Sequence, residues 1–90
     1  MTAGKPREAQ VGDVYRMTYY DGSTSEEVVM AIDEHVHTYE DDGDVWQWEL
    51  REFPTRLMTF LRHGPIDAFI EAAWIKRFIR INGRKPPGAK

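Results

Sequence analysis

The sequence predicts an α+β domain, an antiparallel meander of about four strands forming an SH3-like or otherwise curved sheet, packed by one or two C-terminal helices. Three observations carry that expectation. Apolar residues before Pro54 alternate with polar ones, those after it recur at intervals of three and four, and Asp-Gly turn pairs punctuate only the first half. The chain has 90 residues and no cysteine, which fits one small domain whose core neither disulfides nor thiolate-bound zinc can supplement.

The first strand is read in VYRMTYY, where Tyr15, Met17 and Tyr19 alternate with Arg16 and Thr18 before the Asp21-Gly22 turn. In EEVVMAID, Val28, Met30 and Ile32 share one side and Val29 and Ala31 the other. This segment also admits a helix, because Ser23 and Thr24 stand at capping-box spacing from Glu26 and Glu27, and Val28, Val29, Ile32 and Val36 fall at helical intervals. Its β-branched residues and the hairpin signals on either side favour the strand. HVHTYE is the third strand, Asp42-Gly43 forms a tight hairpin, and VWQWEL resumes the alternation through Trp46, Trp48 and Leu50.

Beyond Pro54, Leu57, Met58, Phe60 and Leu61 predict a short helix closed by Gly64. A second helix opens near Pro65, with Asp67 and Glu71 toward its positive end, Lys76, Arg77 and Arg80 toward its negative end, and Gly83 as its stop. Ile66, Phe69, Ile70, Ala73 and Trp74 make one stripe, while Ile75, Phe78 and Ile79 fall on the opposite side. Either the helix runs to Ile81 with two apolar faces, or it breaks near Ile75 and its remainder joins a sheet edge. Residues 1–10 and the basic stretch 83–90 are expected to be flexible tails around a domain spanning 11–82.

Charge is divided along the chain. Residues 1–50 hold three basic and twelve acidic groups, a formal −9, and residues 51–90 hold nine and three, a formal +6, giving the net −3. Such polarity is compatible with attraction between the halves of one fold or between subunits. No apolar run has the length of a membrane span or the character of a signal peptide, so a cytoplasmic location is expected.

Chemistry-bearing patterns are weak. His35 and His37 share a strand face, with Asp33 and Asp13 as conceivable oxygen donors, but no further ligand is positioned, and surface or pH-sensitive histidines are the expectation rather than a metal site. His63 is read at a helix end, facing the dipole. Glu40 to Asp44 resembles a calcium loop in composition only. Ser23 and Ser25 have no elbow motif or paired base, so no catalytic residue and no cofactor is assigned. What remains is binding. Trp74, Ile75, Phe78 and Ile79, rimmed by Arg77 and Arg80, are the expected protein contacts, because aromatic and arginine side chains dominate interface energetics. The alternative is nucleic-acid binding through Lys76, Arg77, Arg80, Arg84 and Lys85, with Trp74 and Phe78 stacking on bases, against which stands the acidic first half.

The run VGDVYRMTYYDG, followed by a second strand, a DG hairpin and a compact aromatic helix, resembles small accessory proteins of actinobacterial bacteriophages. That resemblance implies a non-enzymatic protein in the cytoplasm of an infected host, binding a bacterial host protein. It carries no site residue across. With the apolar helix it leads to the expectation of a protein-interaction module that forms homo-oligomers.

Overall fold

A computed structural model describes residues 8–88. The elements run β1 (Asp13–Thr18), β2 (Thr24–Ile32), β3 (His35–Glu40), β4 (Val45–Glu49), a one-turn 3-10 helix (Leu50–Glu52), β5 (Met58–His63) and α1 (Ala68–Asn82). The five strands form one antiparallel sheet in the order β4-β3-β2-β1-β5. The fold is α+β, with one C-terminal helix.

Local chemistry explains the turns. Ser23, which sequence spacing offered as a helix cap, donates both its backbone N–H and its hydroxyl to Asp21 Oδ1, at 2.9 and 2.6 Å. That Asx-type turn, with Gly22 at φ +88°, closes β1 onto β2 and removes the helical alternative. Gly43, at φ +97°, performs the same service between β3 and β4.

Two expectations are corrected. The helix expected over Leu57 to Leu61 is β5, which pairs with the outer edge of β1 through Tyr15 and Phe60, and through Met17 and Met58. Fewer than a dozen residues make a marginal helix, whereas an unpaired β1 edge leaves a row of backbone groups without partners. On β2, the alternation slips: a bulge between Val29 and Ala31 turns both Met30 and Ala31 toward the helix, leaving Ile32 partly exposed.

The sheet carries a cluster on each face. Val28, Met30, Tyr39 and Val45 pack against Trp74, Phe78, Ile70 and Ile75 of α1. On the other face Tyr15, Val29, Val36 and Phe53 gather with Trp48, Met58 and Ala9. The Phe53 ring lies 5.1 Å from Tyr15 on β1 and 6.0 Å from Trp48 on β4. The Phe53 ring thus sits between side chains of β1 and β4, strands separated in the sheet by β2 and β3.

α1 is continuous, which decides the question left open at Ile75. Asp67 Oδ1 accepts the N–H groups of Phe69 and Ile70 at 2.8 and 3.3 Å, and Gly83, at φ +71°, donates its N–H to Ile79. Of the two expected tails, residues 1–7 and 89–90 lie outside the described residues. Within the rest, Pro86 is buried and the Arg84 guanidinium sits 5.4 Å from the Phe78 ring centre.

Candidate functional site

The expected contact residues divide. Trp74 and Phe78 are 3% and 1% exposed and belong to the monomer core, and Ile75 is half-buried beside them. Arg77, Ile79 and Arg80 are exposed at a cleft beside the β3–β4 hairpin, and Phe69, 87% exposed, stands free on α1. Buried and exposed residues alike follow from the 100° step of the helix. Ile70, Trp74 and Phe78 recur at four and eight residues beneath it, whereas Phe69, Ala72, Lys76 and Ile79 recur at three, seven and ten along the outer side.

The basic groups of α1 face one acidic residue. Ala73, Lys76, Arg77, Ile79 and Arg80 line a cleft of about 440 Å³ whose other wall is Tyr39, Asp42 and Gly43 of the β3–β4 hairpin. A phosphate backbone approaching these cations meets the Asp42 carboxylate as well. Arg84, also expected to bind phosphate, lies over Phe78, while Lys85 is exposed.

The histidines take structural places. His37 is buried, not superficial: Nε2 lies 2.8 Å from Asp33 Oδ1, the ring packs at 5.7 Å on Phe78, and Nδ1 has no hydrogen-bond partner among the described residues. The His35 N–H, with help from His37 and against partial burial, holds the Asp33 carboxyl below its ordinary pKa. Asp13 stands away from both histidines and is fully buried. It accepts the Gln10 N–H at 2.9 Å, the Tyr15 hydroxyl at 3.3 Å and His63 Nδ1 at 2.7 Å, so His63 belongs to a strand-end clamp rather than to a helix terminus. The adjoining cleft, about 180 Å³, has no hydroxyl nucleophile in its lining.

The densest polar cluster lies on the face of the sheet that carries Val29 and Val36. Glu27 and Glu40 face each other in register across β2 and β3, and both are buried, at 1% and 3% exposure. Thr38 Oγ1 donates to Glu27 at 2.7 Å and receives the Trp48 indole N–H at 3.0 Å. Glu40 accepts the Trp46 indole N–H at 2.5 Å and the Tyr19 hydroxyl at 3.0 Å, with Ser25 Oγ 3.1 Å from that hydroxyl. Carboxylate oxygens of Glu40, Asp42 and Asp44 come within 4.8 Å of one another. No protein-family model, curated protein or solved structure matches this chain. The site is therefore read from its own geometry.

Burial pushes the Glu27 carboxyl above its ordinary pKa, the neighbouring charge of Glu40 adds to the rise, and hydrogen bonds from Thr38 and Trp48 oppose it. For Tyr19, the Ser25 hydrogen bond works downward, yet burial together with Glu40 raises the phenol, which is thus a donor at neutral pH. The folded chain holds the Glu27 proton more tightly than the unfolded chain does. Its contribution to stability is thus most favourable below the ordinary carboxyl range and declines as pH rises to the folded value. Glu27→Gln keeps an acceptor for Thr38 and removes one of two facing charges, so it should stabilise the domain by ~1 kcal/mol at neutral pH. Thermal unfolding at pH 5 and pH 7.5 should show a gain at the higher pH that shrinks at the lower one; an equal or larger gain at pH 5 would contradict the assignment.

Sequence reading missed this cluster, although parity contained a signal. Glu27 shares its side of β2 with Val29, and Glu40 shares its side of β3 with Val36 and Thr38, so both carboxylates lie on the face opposite α1. Alternation could place them there, but their facing register and indole donors required the pairing of three strands.

Proposed function

We propose that this chain is a small non-enzymatic protein-interaction module that self-associates through the outer side of α1, a role consistent with the phage-accessory resemblance and its implied bacterial partner. The observation that carries it is Phe69, an aromatic side chain almost fully exposed on a capped helix, followed by Ala72, Ala73 and Ile79 on the same exposed surface. The strip is self-complementary. Two antiparallel copies crossing over the Ala73–Trp74 turn set Phe69 against Ile79 and Ala72 against the aliphatic stem of Lys76, twice over, as an isologous contact requires. What supports an SH3-like reading of the sheet is the pairing of β1, the first strand, with β5, the last, which rolls a meander toward closure. Among the described residues no helix is long and apolar enough to cross a membrane.

One helix against another is a small interface, so association should be concentration-dependent rather than complete. Light scattering over a wide concentration range is expected to show a dimer whose dissociation constant rises at least roughly tenfold in Phe69→Asp and in Ile79→Lys, with both variants still folded by circular dichroism. A monomer at every concentration, or a dimer indifferent to both substitutions, would remove this reading.

A further inference from the structure

We infer that the cleft between α1 and the β3–β4 hairpin is a binding site for a small phosphate monoester of a polyhydroxy compound, its phosphate on the helix side and its hydroxyls on the hairpin side. The cleft holds about 440 Å³, a volume suited to a single small molecule. Lys76, Arg77 and Arg80 stand along its helical wall. Among the described residues none of the three makes an ion pair, and residues 1–7 and 89–90 contain no acidic side chain to supply one. Helix stability does not account for this concentration of charge. Like charges three and four residues apart on a helix repel, and Arg80 stands at those spacings from Arg77 and Lys76. The helix dipole favours a base in the last turn, where Arg80 sits, but its effect fades before Lys76 and Arg77. Glu71, the one acidic residue of α1, lines a different groove, against the end of β2. A phosphate dianion among the three cations offsets their repulsion, and the arginine forks match its oxygens in pairs.

The hairpin wall selects what the phosphate is attached to. Tyr39 is half-buried against the α1 cluster, yet its hydroxyl has no hydrogen-bond partner among the described residues. It borders Gly43, which has no side chain to cover it: a Cβ there would stand 3.8 Å from the hydroxyl oxygen. Asp42 uses Oδ1 to accept the Asp44 N–H at 3.1 Å, and its second oxygen is without a donor among the described residues. A bare anion meets repulsion from Asp42. A phosphate esterified to a polyhydroxy compound instead turns hydroxyl groups toward Asp42 and Tyr39, which accept and donate. Ala73 and Ile79 add apolar surface to the lining. A monoester also brings close to two charges at neutral pH against the three cations, where each link of a nucleic-acid backbone brings one.

Lys76 and Ile79 belong both to this cleft and to the outer strip of α1, whereas Phe69 lies outside the cleft lining, so Phe69→Asp separates ligand binding from self-association. The probes are ribose 5-phosphate, inorganic phosphate and ribose, titrated at pH 7.5 and low salt into the isotope-labelled full chain and followed by amide chemical shifts. Ribose 5-phosphate should bind more tightly than inorganic phosphate, and ribose should not bind, with shifts centred on residues 39–43 and 73–80. Arg77→Gln and Arg80→Gln should each weaken ribose 5-phosphate roughly tenfold, and Tyr39→Phe about threefold. Asp42→Asn should tighten inorganic phosphate and narrow the advantage of ribose 5-phosphate over it. Phe69→Asp, and Lys85→Gln at an exposed base outside the lining, should bind like the parent chain. The amide spectra of the unliganded variants, matching the parent away from each substitution, separate lost binding from lost structure. The site is refuted if ribose 5-phosphate binds no better than ribose or inorganic phosphate, if Lys85→Gln weakens it as much as Arg77→Gln, as a diffuse positive field would, or if a deoxythymidine decamer binds with the same sensitivity to substitution where ribose 5-phosphate does not.

Discussion

Gly12→Ala is expected to remove much of the stability of this domain, about 3–5 kcal/mol, by combining a strained backbone with an overpacked contact. Gly12 sits at φ +98°, where an L side chain is unfavourable, and an added Cβ would run into the carbonyl oxygen of Gly64. That oxygen cannot move aside alone. The Gly64 N–H donates to Gly12 at 3.2 Å, the Gly12 N–H donates to Val29 at 2.9 Å, and the next residue, Asp13, is held by His63. Separating the two glycines therefore opens the β1–β5 edge and the Asp13 clamp together. Gly22 supplies the comparison, because it has a similar φ of +88° but nothing within 4 Å of the point a Cβ would occupy. Gly22→Ala should lose only ~1 kcal/mol, the backbone part of the effect. Urea unfolding of both variants measures the difference, and near-equal losses would show that the approach to Gly64 is unimportant.

Phe78→Ala should be nearly as damaging, at about 3–5 kcal/mol, because it opens a cavity where α1 meets the sheet. The ring is 1% exposed and lies 5.7 Å from Trp74 and 5.7 Å from His37, with the Arg84 guanidinium 5.4 Å above it. One truncation thus loosens helix, sheet and C-terminal segment. Its neighbour is the control: Ile79→Ala, on the outer side of the same helix, should change stability by no more than about 0.5 kcal/mol. Chemical denaturation of the pair reads out which of two adjacent apolar residues is core. A loss at Ile79 as large as that at Phe78 would mean the helix is rotated from the arrangement described.

These two residues show how much the sequence reveals. The apolar spacing of α1 made both Phe78 and Ile79 visible as residues needing cover, and Gly83 marked the end of the helix, whereas its start, expected near Pro65, falls at Ala68 behind the Asp67 cap. Spacing alone does not say which stripe meets the sheet. Burial on a helix is decided by the surface opposite it, here Met30, Val28 and Tyr39, and those residues become one surface only when β2 pairs with β3. The expected contact set accordingly mixed core residues (Trp74, Phe78) with surface ones (Ile79, Arg77, Arg80).

Short-range physics determined the first four strands, their turns and the last helix, because alternation, Asp-Gly pairs and capping residues act within a few positions of one another. The fate of residues 58–63 was settled at long range. Their apolar spacing suits a single helical turn or two, and only the open edge of β1, some forty residues earlier, makes a fifth strand the better use of their backbone groups. The facing carboxylates Glu27 and Glu40 belong to the same class. Each is an ordinary surface-type residue in the sequence, and their burial, raised protonation at Glu27 and indole partners exist only because the pairing of β2, β3 and β4 brings three strands and an aromatic layer together around them.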